Sequence, residues 1–249
     1  MPESSGKTGE RFPPTRSTLL QEIRSPDLET RQRAMGALIE VYWRPVYGYL
    51  RLRWGRERLD SEDLTQEFFL RAMDGNYFDR YDPAIARFRT FLRTCLDGFM
   101  ANTERAASRQ KRGGGNTWLS LDFEMAEADL AGVSVQGEAE VDRFFHEEWV
   151  RSILALSVSA LREHCESRGK MVAFEVFQRY DIQPADDVRP TYQAMAAELG
   201  QPVTQVTNLL AYARREFRRI VLERLRDLSA SDAEFRAEAE SLLGVRDPR

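Results

Sequence analysis

The sequence predicts an all-α fold arranged as two small helical domains joined by an acidic linker. Apolar residues recur at i, i+3, i+4 and i+7 in several stretches, the spacing of one buried helix face. No stretch sustains the apolar–polar alternation of a strand, and no internal repeat is evident. A run rich in Asp and Glu, with weak periodicity, separates the two sets of helical signals. The expected organisation is a flexible tail over 1–16, a helical domain over 17–112, the acidic linker over 113–143, a second helical domain over 144–228 and a C-terminal tail over 229–249.

The elements follow in order. Ser, Gly, Lys, Thr and Pro-Pro dominate the first 16 residues, the composition of a mobile tail. Gly6-Lys7-Thr8 is similar to the end of a phosphate-binding loop, but the upstream Gly and preceding strand are missing, so nucleotide binding is not expected. Ser25-Pro26 reads as a helix start with Pro at the first helical position. Met35, Leu38, Ile39 and Tyr42 then give a helical stripe. Pro45 interrupts or kinks it, and Val46, Tyr49, Leu50 and Trp54 extend it. Ser61, with Glu62 and Asp63 behind it, reads as an N-cap and a dipole-favoured first turn. That helix runs to about Met73, where Gly75 stops it, and a loop with Asn76, Asp82 and Pro83 follows.

Phe88, Phe91, Leu92, Cys95, Leu96, Phe99, Met100 and Thr103 form the cleanest amphipathic pattern, predicting a helix from Phe88 to Arg112 that breaks at Gly113-Gly114-Gly115. The linker beyond it holds a short helix. Helical signals resume from Phe144 to Glu166 and from Met171 to Tyr180. A loop with Pro184 and Pro190 leads to Tyr192. There, Tyr192, Met195, Ala196 and Leu199 form one inward face, and Gly200 supplies a turn. Pro202 opens a second helix whose core positions are Val206, Leu209, Leu210, Ala213 and Phe217, the layout of a helix-turn-helix.

Bulk properties narrow the function. No apolar run approaches the ~20 residues needed to cross a bilayer, and the N-terminus has no apolar signal region. Cys95 and Cys165 lack CxxC spacing, so neither a disulfide framework nor a zinc site is expected. A cytoplasmic protein is the expectation. The net charge of −4 argues against nucleic-acid binding, yet its distribution does not. Ala84 to Arg112 carries seven bases against two acids, and Thr204 to Arg226 carries six Arg against two Glu. Between them, Asp122 to Glu148 carries nine acids against one base. Two basic islands flank an acidic bridge, a segregation suited to electrostatic steering.

Three surfaces are candidates for binding. Asp63, Gln66, Glu67 and Leu70 stand at i, i+3, i+4 and i+7 on one stripe, suited to a partner's basic helical surface. Arg89, Arg93, Asn102, Arg105, Arg109, Lys111 and Arg112 project from the long amphipathic helix or its end. Arg and Lys there neutralise phosphates with counterion release, and the Asn102 amide can bond the exposed edge of an unpaired base. Thr204, Gln205, Thr207 and Asn208 occupy the first turns of the second hairpin helix, where base edges are read. Arg214, Arg215, Arg218 and Arg219 follow, placed for phosphates. For each surface the alternative is an ordinary solvated helix face. Without the upstream stripe, the hairpin could equally be a helical pair with no DNA role.

The run Asp63-Leu64-Thr65-Gln66-Glu67-Phe68-Phe69-Leu70-Arg71 resembles the polymerase-docking signature of bacterial RNA polymerase sigma factors of the sigma-70 family. The chain is similar to the compact extracytoplasmic-function group, from about Leu19 to Leu228. The resemblance implies that Asp63, Gln66 and Glu67 contact the β′ clamp of core RNA polymerase, with the β flap as a further contact. It implies that the stretch from Phe88 to Arg112 serves promoter melting and −10 recognition, and that the C-terminal hairpin reads the −35 duplex. Promoter DNA and core polymerase are the implied partners, with an anti-sigma factor as a further candidate.

The sequence departs from that family at Thr207, where relatives usually carry a base, and at Ala211, Tyr212 and Glu216, where bases are commoner. Asp97 and Gly98 stand where basic or polar residues are common. Each lost phosphate contact lowers affinity and the salt slope. No catalytic residue, metal ligand or cofactor is expected: no His lies near Glu62, Asp63 and Glu67, and His146-Glu147-Glu148 and His164-Cys165 lack matching ligands. The leading expectation is a sigma factor directing core polymerase to promoters. The alternative is a sigma-like regulator that binds polymerase or another protein without initiating transcription.

Overall fold

The computed structural model describes residues 18–74, 77–107, 121–182 and 189–244. Among these the chain forms ten α-helices, one π-helical turn and no strand. The all-α expectation is met. The first half contains α1 (Leu19–Glu22), α2 (Leu28–Arg53), α3 (Arg58–Asp74) and α4 (Phe88–Ala107). The second half contains α5 (Phe123–Leu130), α6 (Glu138–Ser167), α7 (Met171–Phe177) followed by the π turn Gln178–Ile182, α8 (Tyr192–Leu199), α9 (Val203–Asp227) and α10 (Asp232–Leu243).

Two helix starts differ from expectation. α2 begins after Pro26, because the Asp27 carboxylate accepts the Thr30 N–H at 2.8 Å and caps the helix there. Ser25 accepts the Asp27 N–H at 3.2 Å instead. Ser61 is no cap: α3 has already started at Arg58, the Ser61 N–H donates to the Glu57 carbonyl at 2.9 Å, and the residue is fully buried. Pro45 neither ends nor divides α2, which runs as one α-helix through it. Its buried position among core residues outweighs the single lost backbone bond.

Two large hydrophobic cores and a small third cluster around Tyr47, Phe123 and Ala126 form among the described residues. The first gathers Leu38, Leu50, Phe68, Leu92, Leu96 and Met100 from α2, α3 and α4 with Phe145, Trp149 and Ile153 from α6. Phe68 and Phe99 meet edge to face at 5.5 Å, as do Tyr42 and Phe88 at 5.7 Å. The second core gathers Leu161 and Cys165 of α6 with Phe174, Val176, Met195, Val206, Leu210 and Ala213. Helices α6 and α9 serve both. Val221 and Leu225 of α9 belong to the first core, while Val206 to Ile220 belong to the second. Two continuous helices therefore tie the halves together.

The acidic stretch is also tied down. Phe123 of α5 sits 5.5 Å from the Trp43 ring and 5.1 Å from the Tyr47 ring. The Arg51 guanidinium donates to Glu127 at 2.5 and 3.0 Å, the Tyr47 hydroxyl donates to Glu127 at 2.5 Å, and Arg44 lies 3.3 Å from Asp129. Two of the acids that make the linker acidic thus answer arginines on α2. The C-terminal stretch from 229, expected to be a tail, holds α10. Its Ser231 hydroxyl accepts the Glu234 N–H at 3.2 Å, and Phe235 and Ala239 enter the first core. The Glu234 carboxylate in turn accepts the Ala230 N–H at 2.9 Å, one residue before the cap.

The longest contact is between α2 and α6. At Gly48 an added Cβ would stand 2.4 Å from the Phe144 ring, so only glycine permits this approach. Gly48→Val is expected to lower unfolding free energy by about 1–3 kcal/mol through overpacking, read from urea midpoints. Glu127 supplies a pH test. The Arg51 bond holds its carboxyl below the usual carboxylate range, so its contribution is full above roughly pH 4.3 and fades as pH falls through the lower folded value. Glu127→Gln should be less stable than the parent at pH 7, and the difference should shrink toward pH 3. A pH-independent difference would remove the charge from that account.

Candidate nucleic-acid interface

Helix α4 buries Phe88, Leu92, Leu96, Phe99 and Met100 and leaves two other faces to account for. One of them borders an open cleft of about 810 Å³. Phe91, Cys95, Gly98 and Asn102 line it from α4, and Tyr77 and Arg80 line it from the loop before the helix. Aromatic rings, a terminal amide and a guanidinium bordering one depression can stack on and hydrogen-bond a planar base. Asn102 is exposed, and its side-chain oxygen accepts from Arg105 Nη1 at 3.3 Å. The absence of a side chain at Gly98 keeps the wall open. Asp97 turns away from the cleft's chemistry: its carboxylate accepts the Tyr49 hydroxyl at 3.0 Å and the Trp54 indole N–H at 3.2 Å. Burial, then Asp97, pushes the Tyr49 hydroxyl up to about 12.

The second face corrects the expectation for Arg89 and Arg93. Neither projects freely. Arg89 Nη1 lies 2.8 Å from the Glu238 carboxylate of α10, and its guanidinium sits 4.9 Å from the Trp149 ring of α6. Arg93 pairs with Asp142 and lies over the Phe145 ring. Arg87, which the sequence reading passed over, completes the arrangement with Nη1 at 2.7 Å from Glu238. Residue spacing placed these arginines on outer faces of α4, but α6 and α10 then cover one of those faces. Ser231 as an N-cap, with Glu234 three residues on, and the apolar spacing of Phe235, Ala239 and Leu242 are the local signals of α10. Arg109, Lys111 and Arg112 lie outside the described residues.

On α3 the expected stripe is divided. Asp63 is exposed and Glu67 and Leu70 are partly exposed, but Gln66 is only 8% exposed. The residue spacing was right, but α3 is rotated so that Thr65, Gln66, Phe68 and Phe69 all turn inward. Glu67 pairs with Arg71 one turn on.

The C-terminal hairpin has the expected turn. Thr191 accepts the Ala194 N–H at 3.1 Å to start α8, Gly200 closes it at φ 60°, and Pro202 precedes α9. Thr204, Gln205 and Asn208 are exposed at the start of α9. Thr207 is partly buried, and its hydroxyl donates to the Thr204 carbonyl at 2.9 Å. The expected phosphate-facing arginines have acidic neighbours. Arg214 donates twice to Asp181 at 2.8 Å, Arg219 reaches Glu216 at 3.0 Å and Glu223 at 2.8 Å, and Arg215 reaches Glu216 at 3.4 Å. Arg218 is exposed. Arg219 and then burial act in opposite senses on Glu216, and the net effect holds its carboxyl below the ordinary range.

Among the described residues no group of three or more His, Cys, Asp or Glu is placed to hold a metal, and no helix is long and apolar enough to cross a membrane. The stretch that contains α3, the cleft and most of α2 and α4 has a known counterpart: the family model Sigma-70 region 2 matches residues 38–110. The chain carries a sigma-70 region 2. The match is confined to that stretch, which is similar to region 2 of sigma-70 proteins. No curated protein and no solved structure matches the chain. Within region 2 lie Asp63, Gln66, Glu67 and Leu70 on α3 and Arg89, Arg93, Asn102 and Arg105 on α4, whereas the α8–α9 hairpin is outside the matched residues.

The Arg214–Asp181 pair gives a test of the hairpin. Asp181→Asn should tighten duplex DNA binding and steepen its salt dependence by about one unit, the release expected for one further phosphate contact. Anisotropy titrations from 50 to 200 mM salt read both; an unchanged slope would separate Arg214 from DNA.

Proposed function

We propose that this protein is a sigma factor of the extracytoplasmic-function type that directs core RNA polymerase to specific promoters. The observation that carries the proposal is the region 2 match over the stretch that pairs an acidic outer face on α3 with an aromatic and amide-lined cleft on α4. Asp63 and Glu67, with Leu70 beside them, dock on the β′ clamp, and Gln66 supports the same helix from its more buried position. A −10 base leaves the duplex and enters the cleft between Tyr77 and Phe91, where Asn102 reads its pairing edge. Arg105 attracts the adjoining phosphates, as do Arg109, Lys111 and Arg112. Thr204, Gln205 and Asn208 read the −35 duplex, with Arg214, Arg215, Arg218 and Arg219 toward its backbone.

The protein's part is recognition and strand capture, and the polymerase supplies the chemistry. The β flap is a second polymerase contact and an anti-sigma factor a further partner; the site of action is the cytoplasm. Holding both DNA-facing halves on one polymerase raises their effective concentration at a promoter. This matters here, because acidic neighbours offset much of the positive charge on α9. That same offset favours the second reading, a sigma-like regulator that binds polymerase or another protein without initiating transcription.

Transcription in vitro with core polymerase separates the two. Promoter-dependent transcripts support the sigma factor; core binding without initiation supports the regulator. Asp63→Lys combined with Glu67→Lys should weaken core binding at least tenfold, about 1.4 kcal/mol, with an unchanged melting temperature. Equal core affinity in that variant would remove α3 as the docking face.

A further inference from the structure

Glu238 is the most deeply placed carboxylate on α10, 4% exposed, and it lies between two guanidiniums from the start of α4. Its two oxygens each take one: Oε1 accepts from Arg87 at 2.7 Å and Oε2 from Arg89 at 2.8 Å. A carboxylate and a phosphodiester present the same pair of acceptors to such an arginine fork. We propose that α10 is an autoinhibitory latch, with Glu238 occupying in the free protein a phosphate-binding fork that single-stranded DNA takes when α10 lifts. This rests on the reading of α4 as DNA-facing and adds to it the element that controls access.

The contact has the character of a closure that can open. Its centre is a buried carboxylate, whose desolvation offsets part of its attraction to Arg89 and to the half-exposed Arg87. Its apolar hold is one large side chain, Phe235, with Ala239 and the partly buried Leu242 and Leu243. Beside it, His146 Nδ1 is buried without a hydrogen-bond partner among the described residues. That ring belongs to the same neighbourhood, since Arg89 stacks on Trp149 and Trp149 stacks on His146. Permanent cores satisfy such groups, and water reaches this one when the latch lifts. Helix α10 follows α9 after the short turn Leu228 to Ser231, and lifting it breaks the Arg226–Asp232 pair and the Arg226 contact with the Phe235 ring. Asp142 differs, because α6 is anchored beside it by Val141 and Phe145 in the first core. Arg93 therefore stays paired when Arg87 and Arg89 are freed.

The test uses the full chain, a fluorescein-labelled single-stranded DNA 12-mer, and hydrogen–deuterium exchange of residues 232–243. In the parent protein α10 amides should exchange faster than those of 141–153; equal protection would overturn the latch without need of any variant. Glu238→Gln and Phe235→Ala should each speed α10 exchange further and bind the 12-mer at least fivefold more tightly, with a steeper salt dependence by about 1.4 units for two phosphates. Gain in Glu238→Gln alone would mean simple charge removal and would overturn the proposal. Unaltered α10 protection in Phe235→Ala would do the same. If α10 is released in both variants and affinity does not rise, Arg105→Ala decides what has failed. Weaker binding by Arg105→Ala leaves α4 as a DNA face and removes only the latch; unchanged binding removes both.

Discussion

The packing of α6 along α2 is the constraint on which the other elements depend. It requires Gly48, since any side chain there would run into Phe144. With the two axes this close, Phe145, Trp149 and Ile153 reach the centre of the first core and meet the inward faces of α3 and α4. The same helix then continues to Leu161 and Cys165, around which α7, α8 and α9 assemble. Burial decides the energetics. Each enclosed Leu- or Phe-sized side chain contributes about 1.5–3 kcal/mol, whereas an exposed ion pair contributes about 0–1 kcal/mol.

Charge pairing has a different task, which is to choose what lies against what. Arg44 and Arg51 draw Asp129 and Glu127 onto α2, and Arg93 meets Asp142 on α6. The acidic bridge is therefore held against α2 by Glu127 and Asp129 and against the first basic island by Asp142. Attraction between regions of opposite charge sets the register of surfaces whose apolar area is small, as at α5, where Phe123 and Ala126 are the only buried residues. Glu148 shows the limit of this device. Burial raises its carboxyl above the ordinary range even with Arg151 beside it.

Local chemistry made much of this legible from residues alone. The amphipathic run from Phe88 to Met100 specified α4 and its buried face, and Gly200 with Pro202 specified the hairpin turn. Caps were harder, because Ser25, Asp27 and Ser61 are all competent and only the realised backbone decides among them. Spacing put Arg89 and Arg93 outside the apolar stripe correctly. Their partners were not legible, since Glu238 lies 149 positions beyond Arg89 and nothing local announces that meeting. Gln66 illustrates a related limit: helical periodicity gives relative angles around α3, not its absolute rotation against α2.

Helix α9 has a mechanical consequence. It spans 25 residues, about 37 Å at 1.5 Å per residue, from the exposed turn at Val203 to Asp227 beside the first core. A single unbroken rod of that length acts as a gauge. Anything gripped at both of its ends must present footholds at that separation, or else pull the rod apart between Ile220 and Val221, where its allegiance passes from one core to the other.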